Sequence, residues 1–459
     1  MNIITALDGF IKSAQSNINE IAIKTGFKKR ESKIKPETFV HVLTLGQSEL
    51  HEITLDTLAG KFEEMQEGLK VTKQGLFQRL QAGAEMLKEL YELAFAAFCE
   101  KSTKLETMEV LKQFKDIKIT DGTTISLPDK LKGLYKGLGG KNAISALKIQ
   151  ATYSVFKHEF VGLESFSATK NDTTYNDKTL ETIDEGELII KDLGYYDSDY
   201  FEKLDNKQAF FISRLKTSCV LYALHNGIYE AVDIAKVLKT TQSKLDKRLF
   251  IKKTSGKIYE IRLTGIKLPT RVSDERKRKA YKNAKNNSKQ LTTKEIQMLD
   301  WFLVLSNIPE DMLAAETIGE LYRLRWQIEL QFRALKSSAD FDKFGNPGEY
   351  YFKCLFYGKL MMTLLTMRMF SICRTIKFKE THRLISIQRF VRNFRNITSL
   401  LGKVLLKPTK KALLALQIII LRLAHRCYFD RRCRKTTEEN LMVHDLPESV
   451  LIMLVAGNF

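Results

Sequence analysis

From Leu55 to Met65 and from Thr72 to Phe98, apolar residues recur three and four apart, the spacing of helices with one buried face; Thr72 is placed to cap the second. All of residues 1–112 reads this way. Near residue 115 the period falls to two. Asp116–Asp121 and Ala146–Val155 alternate, while Glu187–Asp192 and Gln208–Lys216 are short apolar runs, so all four are predicted strands. A helix-length stretch, Asp197–Asn206, separates the last two. Leu249–Lys253, Ile258–Thr264 and Trp301–Asn307 add strands, and from Ala314 onward the pattern is helical again. The expected class is mixed α/β. The expected segments are helices over 1–112, an α/β part over 113–216, a β-rich stretch over 217–308, a second part of the α/β unit over 309–345, and helices over 346–459.

A break at Glu67–Val71 parts the first two helices. Helix, tight connection and a second helix opening at Thr72 are compatible with a helix-turn-helix, which would expose Lys73, Gln74, Gln78 and Arg79 where such motifs meet DNA. A generic helical bundle explains the same pattern. Charge bears on the choice: 74 Lys and Arg against 54 Asp and Glu leave +20, which calls for a polyanionic partner. The surplus concentrates at Arg271–Lys289 and Lys403–Lys435. Either run alone also reads as a solvated helix face; with the global excess they point to nucleic acid. No apolar run is long enough to span a bilayer. Six scattered Cys and no secretory pattern over Met1–Phe10 lead to the expectation of a reducing, cytoplasmic compartment. His425, Cys427 and Cys433 lack zinc spacing, and Lys136–Lys141 reads as a flexible loop, not a phosphate loop.

The most informative segment is Glu316–Ser338, read as one helix. At about 100° per residue, Tyr322, Arg325, Glu329 and Lys336 share a stripe about 60° wide beside the apolar face of Leu321, Leu324, Ile328, Phe332 and Leu335. An Arg325–Glu329 ion pair, worth a few tenths of a kcal/mol, explains two of the four. Two further acids, Asp121 and Asp192, end predicted strands. Each is either a turn-forming Asp or a metal ligand, since a carboxylate on an apolar face is costly without a partner. Together with Glu329 they would offer hard oxygen ligands to two Mg²⁺ ions about 4 Å apart, an arrangement suited to in-line attack on a phosphodiester.

The spacing Tyr322-x2-Arg325-x3-Glu329-x6-Lys336 resembles the signature of transposases of the insertion-sequence-four type. Ile119–Leu127 looks like that family's first-Asp strand, with Gly122 where Ser is common. Asp192-Leu193-Gly194-Tyr195 is similar to its second-Asp turn, with Leu193 where Arg is usual. The resemblance implies a ribonuclease-H-like catalytic core interrupted by a mostly β insertion, with helical N-terminal and C-terminal regions. It makes Asp121, Asp192 and Glu329 catalytic metal ligands for two Mg²⁺, with Mn²⁺ substituting. Tyr322, Arg325 and Lys336 would hold phosphate oxygens. Trp301 stands where the family has a Trp that stacks on a flipped base; a core aromatic on Trp301–Val304 is the other reading. The partners implied are double-stranded DNA, as element terminal repeats and target, and a second copy in a homodimer on DNA. The expected function is cut-and-paste transposition. A silent DNA-binding regulator and a structure-specific nuclease on the same core remain as alternatives.

Overall fold

The computed structural model describes residues 17–29, 33–46, 54–101, 113–139, 144–253, 255–381, 383–406 and 408–429, with Ile3 and Leu111. Helices α1 (Pro36–Thr44), α2 (Leu55–Met65) and α3 (Lys73–Lys101) precede the sheet. β1 (Ile117–Ser126), β2 (Ala146–Ser154) and β3 (Glu159–Ser167) form an antiparallel meander. The short helix α4 (Asn176–Glu181) leads to β4 (Leu188–Lys191), and α5 (Ser198–Asn206) leads on to β5 (Phe210–Arg214). β4 lies parallel between β1 and β5, and all four of its residues are buried, as a strand covered on both faces requires.

The stretch after β5 does not form a sheet of its own. β6 (Leu221–His225), β7 (Ile228–Ala231), α6 (Ile234–Thr240), β8 (Lys244–Lys252), β9 (Ile258–Lys267), α7 (Thr270–Asn286) and α8 (Thr293–Met298) lead to β10 (Trp301–Ser306). β10 pairs with both β5 and β9, so ten strands run on in the order β3-β2-β1-β4-β5-β10-β9-β8-β6-β7. The basic run at 271–289 is largely α7, a helix within the β-rich stretch.

The helical segments at the two ends of the chain share one core. α9 (Ala315–Arg323) and α10 (Trp326–Ala339) are followed by the 33-residue α11 (Glu349–Thr381), then α12 (Ile387–Arg395), α13 (Thr398–Leu406) and α14 (Lys410–His425). α11 is buried nearly all round, which marks a central helix, and it packs against α1, α3, β3 and α14. Phe39, Phe62 and Leu80 therefore join Phe352, Phe370 and Phe394 in a single cluster. The charges interrupting α11 are satisfied: Arg368 meets Glu159 at 3.2 Å, and Lys359 Nζ donates to the Asp340 carbonyl at 2.6 Å. Among the described residues no helix is long and apolar enough to cross a membrane.

Two expectations are corrected. Asp121 does not end a strand; β1 continues to Ser126 in register with β2. The polar run Gly122-Thr123-Thr124 hides this, because the strand's later half is only partly buried. The Glu316–Ser338 segment is two helices, because hydrogen bonds from Leu324, Arg325 and Gln327 reach back three residues, at 2.9, 3.0 and 2.8 Å, and tighten the chain at Leu324–Arg325.

Trp301 belongs to a second core. It is 2% exposed, among Phe201, Phe211, Leu249, Leu263 and Leu305, because β10 is central and all six of its residues are buried. It has no free face, so the core-aromatic alternative describes its placement. Trp301→Ala should cost about 3–5 kcal/mol and melt several degrees below the wild type. An unchanged melting temperature would remove Trp301 from the core.

Candidate active site

Backbone register brings the first two acids side by side. Thr120 pairs with Lys191 in the parallel β1–β4 ladder, so the next residues, Asp121 within β1 and Asp192 just past the end of β4, stand at one level. Strand spacing sets their backbones about 5 Å apart. Asp192 opens the short 3₁₀ turn Leu193–Tyr195, its carbonyl accepting from the Tyr195 N–H at 3.1 Å. The third acid, Glu329, is in the first turn of α10, which packs on β1.

Arg325 ties the group together. Its Nη1 donates to Asp121 Oδ2 at 3.0 Å and its Nη2 stands 2.5 Å from Glu329 Oε1. The Tyr322 hydroxyl donates to Asp192 Oδ1 at 3.2 Å. Lys336 Nζ donates to the Thr124 carbonyl at 2.7 Å, on the same strand as Asp121. Five of the six residues read from the sequence as acids or phosphate holders thus meet where β4 ends beside the middle of β1, and Lys336 stands three residues farther along β1. Lys73, Gln74 and Gln78 are exposed at the start of α3, whereas Arg79 is engaged internally, donating to the Phe27 carbonyl at 2.6 Å.

Burial raises the Asp121 pKa to about 6, and the charges of Asp192 and Glu329 push the same way against Arg325 and the Gly122 N–H. Burial opposes the Arg325 charge, but Tyr322 and the three acids outweigh it and hold that pKa above the usual value. Burial, then Asp192, raises the Tyr322 phenol, so it stays a proton donor.

Two residues that the sequence reading missed complete the neighbourhood. Arg214 ends β5 and follows Ser213, the partner of Lys191, so it stands beside Asp192. Its guanidinium lies 5.3 Å from the Phe302 ring centroid, and that ring contacts Tyr322. Its Nε has no hydrogen-bond partner among the described residues. Periodicity cannot find such a residue, because its place depends on β5 pairing with β4. Trp326 follows Arg325 directly and is 45% exposed, with the Arg333 guanidinium 5.4 Å from its ring. Sequence held a signal for Trp326: it falls near 40° on the helical projection, outside the apolar arc. On α7, Arg271, Arg278, Lys279, Lys282 and Lys285 are exposed, while Arg276 turns inward to the Trp301 carbonyl at 2.9 Å. Burial and nearby Arg214 lower the Arg276 pKa to about 10.

Among the described residues no three His, Cys, Asp or Glu side chains are gathered closely enough to hold a metal ion as they stand. The donor set nonetheless suits Mg²⁺: three carboxylates, hard oxygen ligands whose charges already act on one another, with Arg325 as their present counter-charge. At the discounted zinc cluster, Cys427 Sγ donates to the Leu423 carbonyl at 3.1 Å, and Cys433 lies outside the described residues.

The family described as transposase DDE domain matches residues 112–365, more than half of the chain. The transposase for insertion sequence element IS231B of Bacillus thuringiensis subsp. berliner is 26% identical, over 86% of this chain and 85% of that protein. The transposase for insertion sequence element IS1151 of Clostridium perfringens is 26% identical over 76% of this chain and 77% of its own. That for insertion sequence element IS231E of Bacillus thuringiensis subsp. finitimus is 29% identical over 69% and 70%. The match spans every strand of the sheet and all three acids, and the chain belongs to the DDE transposases of insertion sequences.

Proposed function

We propose that the chain binds the ends of its element, nicks DNA there and joins the freed 3′-hydroxyl to target DNA, with Asp121, Asp192 and Glu329 as the catalytic acids. The observation that carries this reading is the Arg325 guanidinium bridging Asp121 and Glu329 while Tyr322 holds Asp192, which links three acids from β1, the end of β4 and α10 through two neighbouring side chains. The meander β1-β2-β3 joined through β1 to parallel β4 and β5 supports a ribonuclease-H-like core over 113–216 and 309–345, with 217–308 as the insertion. Regions 1–112 and 346–459 flank it, and Lys73, Gln74 and Gln78 remain candidate DNA contacts.

The three carboxylates would hold two Mg²⁺, or Mn²⁺ in its place, which when bound activate the attacking oxygen and stabilise the leaving one. Arg325 then exchanges its carboxylate partners for phosphate oxygens, and Arg214, at the end of the strand next to β4, is a further candidate to hold an oxygen of the DNA strand. Lys336 adds a point charge and Tyr322 a neutral donor. The exposed basic face of α7 supports a duplex path across the insertion, and the paired ends would be held by a homodimer. The aromatic face for an extruded base is offered by Trp326, since Trp301 is buried.

Replacing any one acid by Ala should abolish nicking and joining of a duplex library in Mg²⁺ while leaving DNA binding within a few-fold. Residual cleavage by Asp192→Ala near the wild-type rate would dismiss the assignment. DNA binding with no nicking by the wild type would mark a silent regulator, and nicking without joining a nuclease.

The raised Asp121 pKa gives a signed expectation. A carboxyl with a folded pKa of about 6 and an unfolded value of about 4 destabilises the chain as it ionises, increasingly from pH 4 to pH 6 and fully above. In chelator, Asp121→Asn should melt above the wild type at pH 7.5, with the gain fading toward pH 4. A variant that melts lower at pH 7.5 contradicts this.

Trp326→Ala should slow cleavage of paired DNA by roughly ten- to a hundredfold with little change in melting, and substrates unpaired beside the cut should recover most of the loss. Equal loss on both substrates counts against stacking.

A further inference from the structure

Beyond Thr120 and Lys191 the parallel ladder between β1 and β4 ends. β1 runs on, paired with β2 through Asp121 and Ala151, then Gly122 and Gln150. The chain after Lys191 leaves the sheet in the turn that Asp192 opens. From there the separation of the two acids depends on side chains, and Gln150 spans the gap. Its Oε1 accepts from the Tyr195 hydroxyl, and its Nε2 donates to Asp172 Oδ1 at 2.7 Å. The same Asp172 oxygen accepts from Lys148 Nζ at 3.1 Å. Gln150 and Tyr195 are each almost wholly buried, so the bond between them has no water as a ready substitute.

Two glycines make the room. A Cβ on Gly122 would stand 3.0 Å from Gln150 Oε1, and one on Gly194 would stand 2.9 Å from Asp172 Oδ2. Gly122 directly follows Asp121, and Gly194 is two residues after Asp192. The bonded chain from β2 to the turn therefore passes over the two places beside the acids where the backbone carries no side chain.

We infer that Gln150, acting with Tyr195, is a positioning residue: it clamps the turn that carries Asp192 against the strand pair that carries Asp121, and so sets the spacing of the two carboxylates. This rests on the proposed role of the acids as metal ligands.

The test uses the full chain and Mn²⁺ alone, followed by calorimetry, with hydrogen exchange at the Leu193–Tyr195 amides as a second readout. Tyr195→Phe removes one oxygen and keeps the packing. Loss of one ordinary hydrogen bond shifts an equilibrium by roughly five- to tenfold, so Mn²⁺ affinity should fall and turn exchange should rise by about that factor, with melting nearly unchanged. Gln150→Glu keeps an acceptor for Tyr195 but sets a second carboxylate against Asp172, so it is paired with Asp172→Asn, and the double variant should retain more affinity than Gln150→Leu. Wild-type affinity in Tyr195→Phe overturns the clamp. So does a series in which affinity follows melting temperature instead of the acceptor at position 150. If the wild type binds no Mn²⁺, or Asp121→Ala binds it equally well, the reading of the acids falls and takes the clamp with it.

Discussion

Three carboxylates crowded at one end of a sheet repel one another, and the Arg325 guanidinium is what allows this fold to keep them there. It reaches Asp121 and Glu329 at once, from a position one helical turn ahead of Glu329 that the tightened Leu324–Arg325 junction creates. The compensation is incomplete. Burial first, and the neighbouring acids after it, still hold the Asp121 pKa up at about 6, so its charge carries a cost that a bound cation can relieve. A region selected only for stability would have replaced one acid; here local cost and expected chemistry coincide, as they do at working sites.

The site was more legible in the sequence than the architecture around it. Tyr322, Arg325, Glu329 and Lys336 are close in sequence, and their mutual spacing carried the stripe even though the helix proved to be two. Asp121 and Asp192 each sit next to an apolar run, which made them visible as misplaced charges. Arg214 carried no such mark, because its place beside Asp192 depends on two strands aligning through register. Trp301 misled for a related reason. Its position in the chain suited a stacking residue, but whether an aromatic on a strand faces solvent or core is decided by what covers the sheet, and β10 is covered on both sides.

The same logic applies to the stretch of residues 217–308. Apolar alternation identified most of its strands, yet nothing local could tell a separate sheet from an extension of the first. β10 decides the matter by pairing with β5 on one side and β9 on the other. The outer strands are thereby hydrogen-bonded through β10 to β5, whose end carries Arg214.

The shared core built on α11 has a consequence for biosynthesis. Phe39 on α1 and Leu80 on α3 are translated more than two hundred residues before α11, the helix against which α1 and α3 pack. At about 5–20 residues per second the early helices wait on the order of ten seconds or more with that face uncovered. During this interval the nascent N-terminal segment is a client for chaperones, and a gene truncated before α11 would yield a polypeptide with a large sticky surface and no means of closing it.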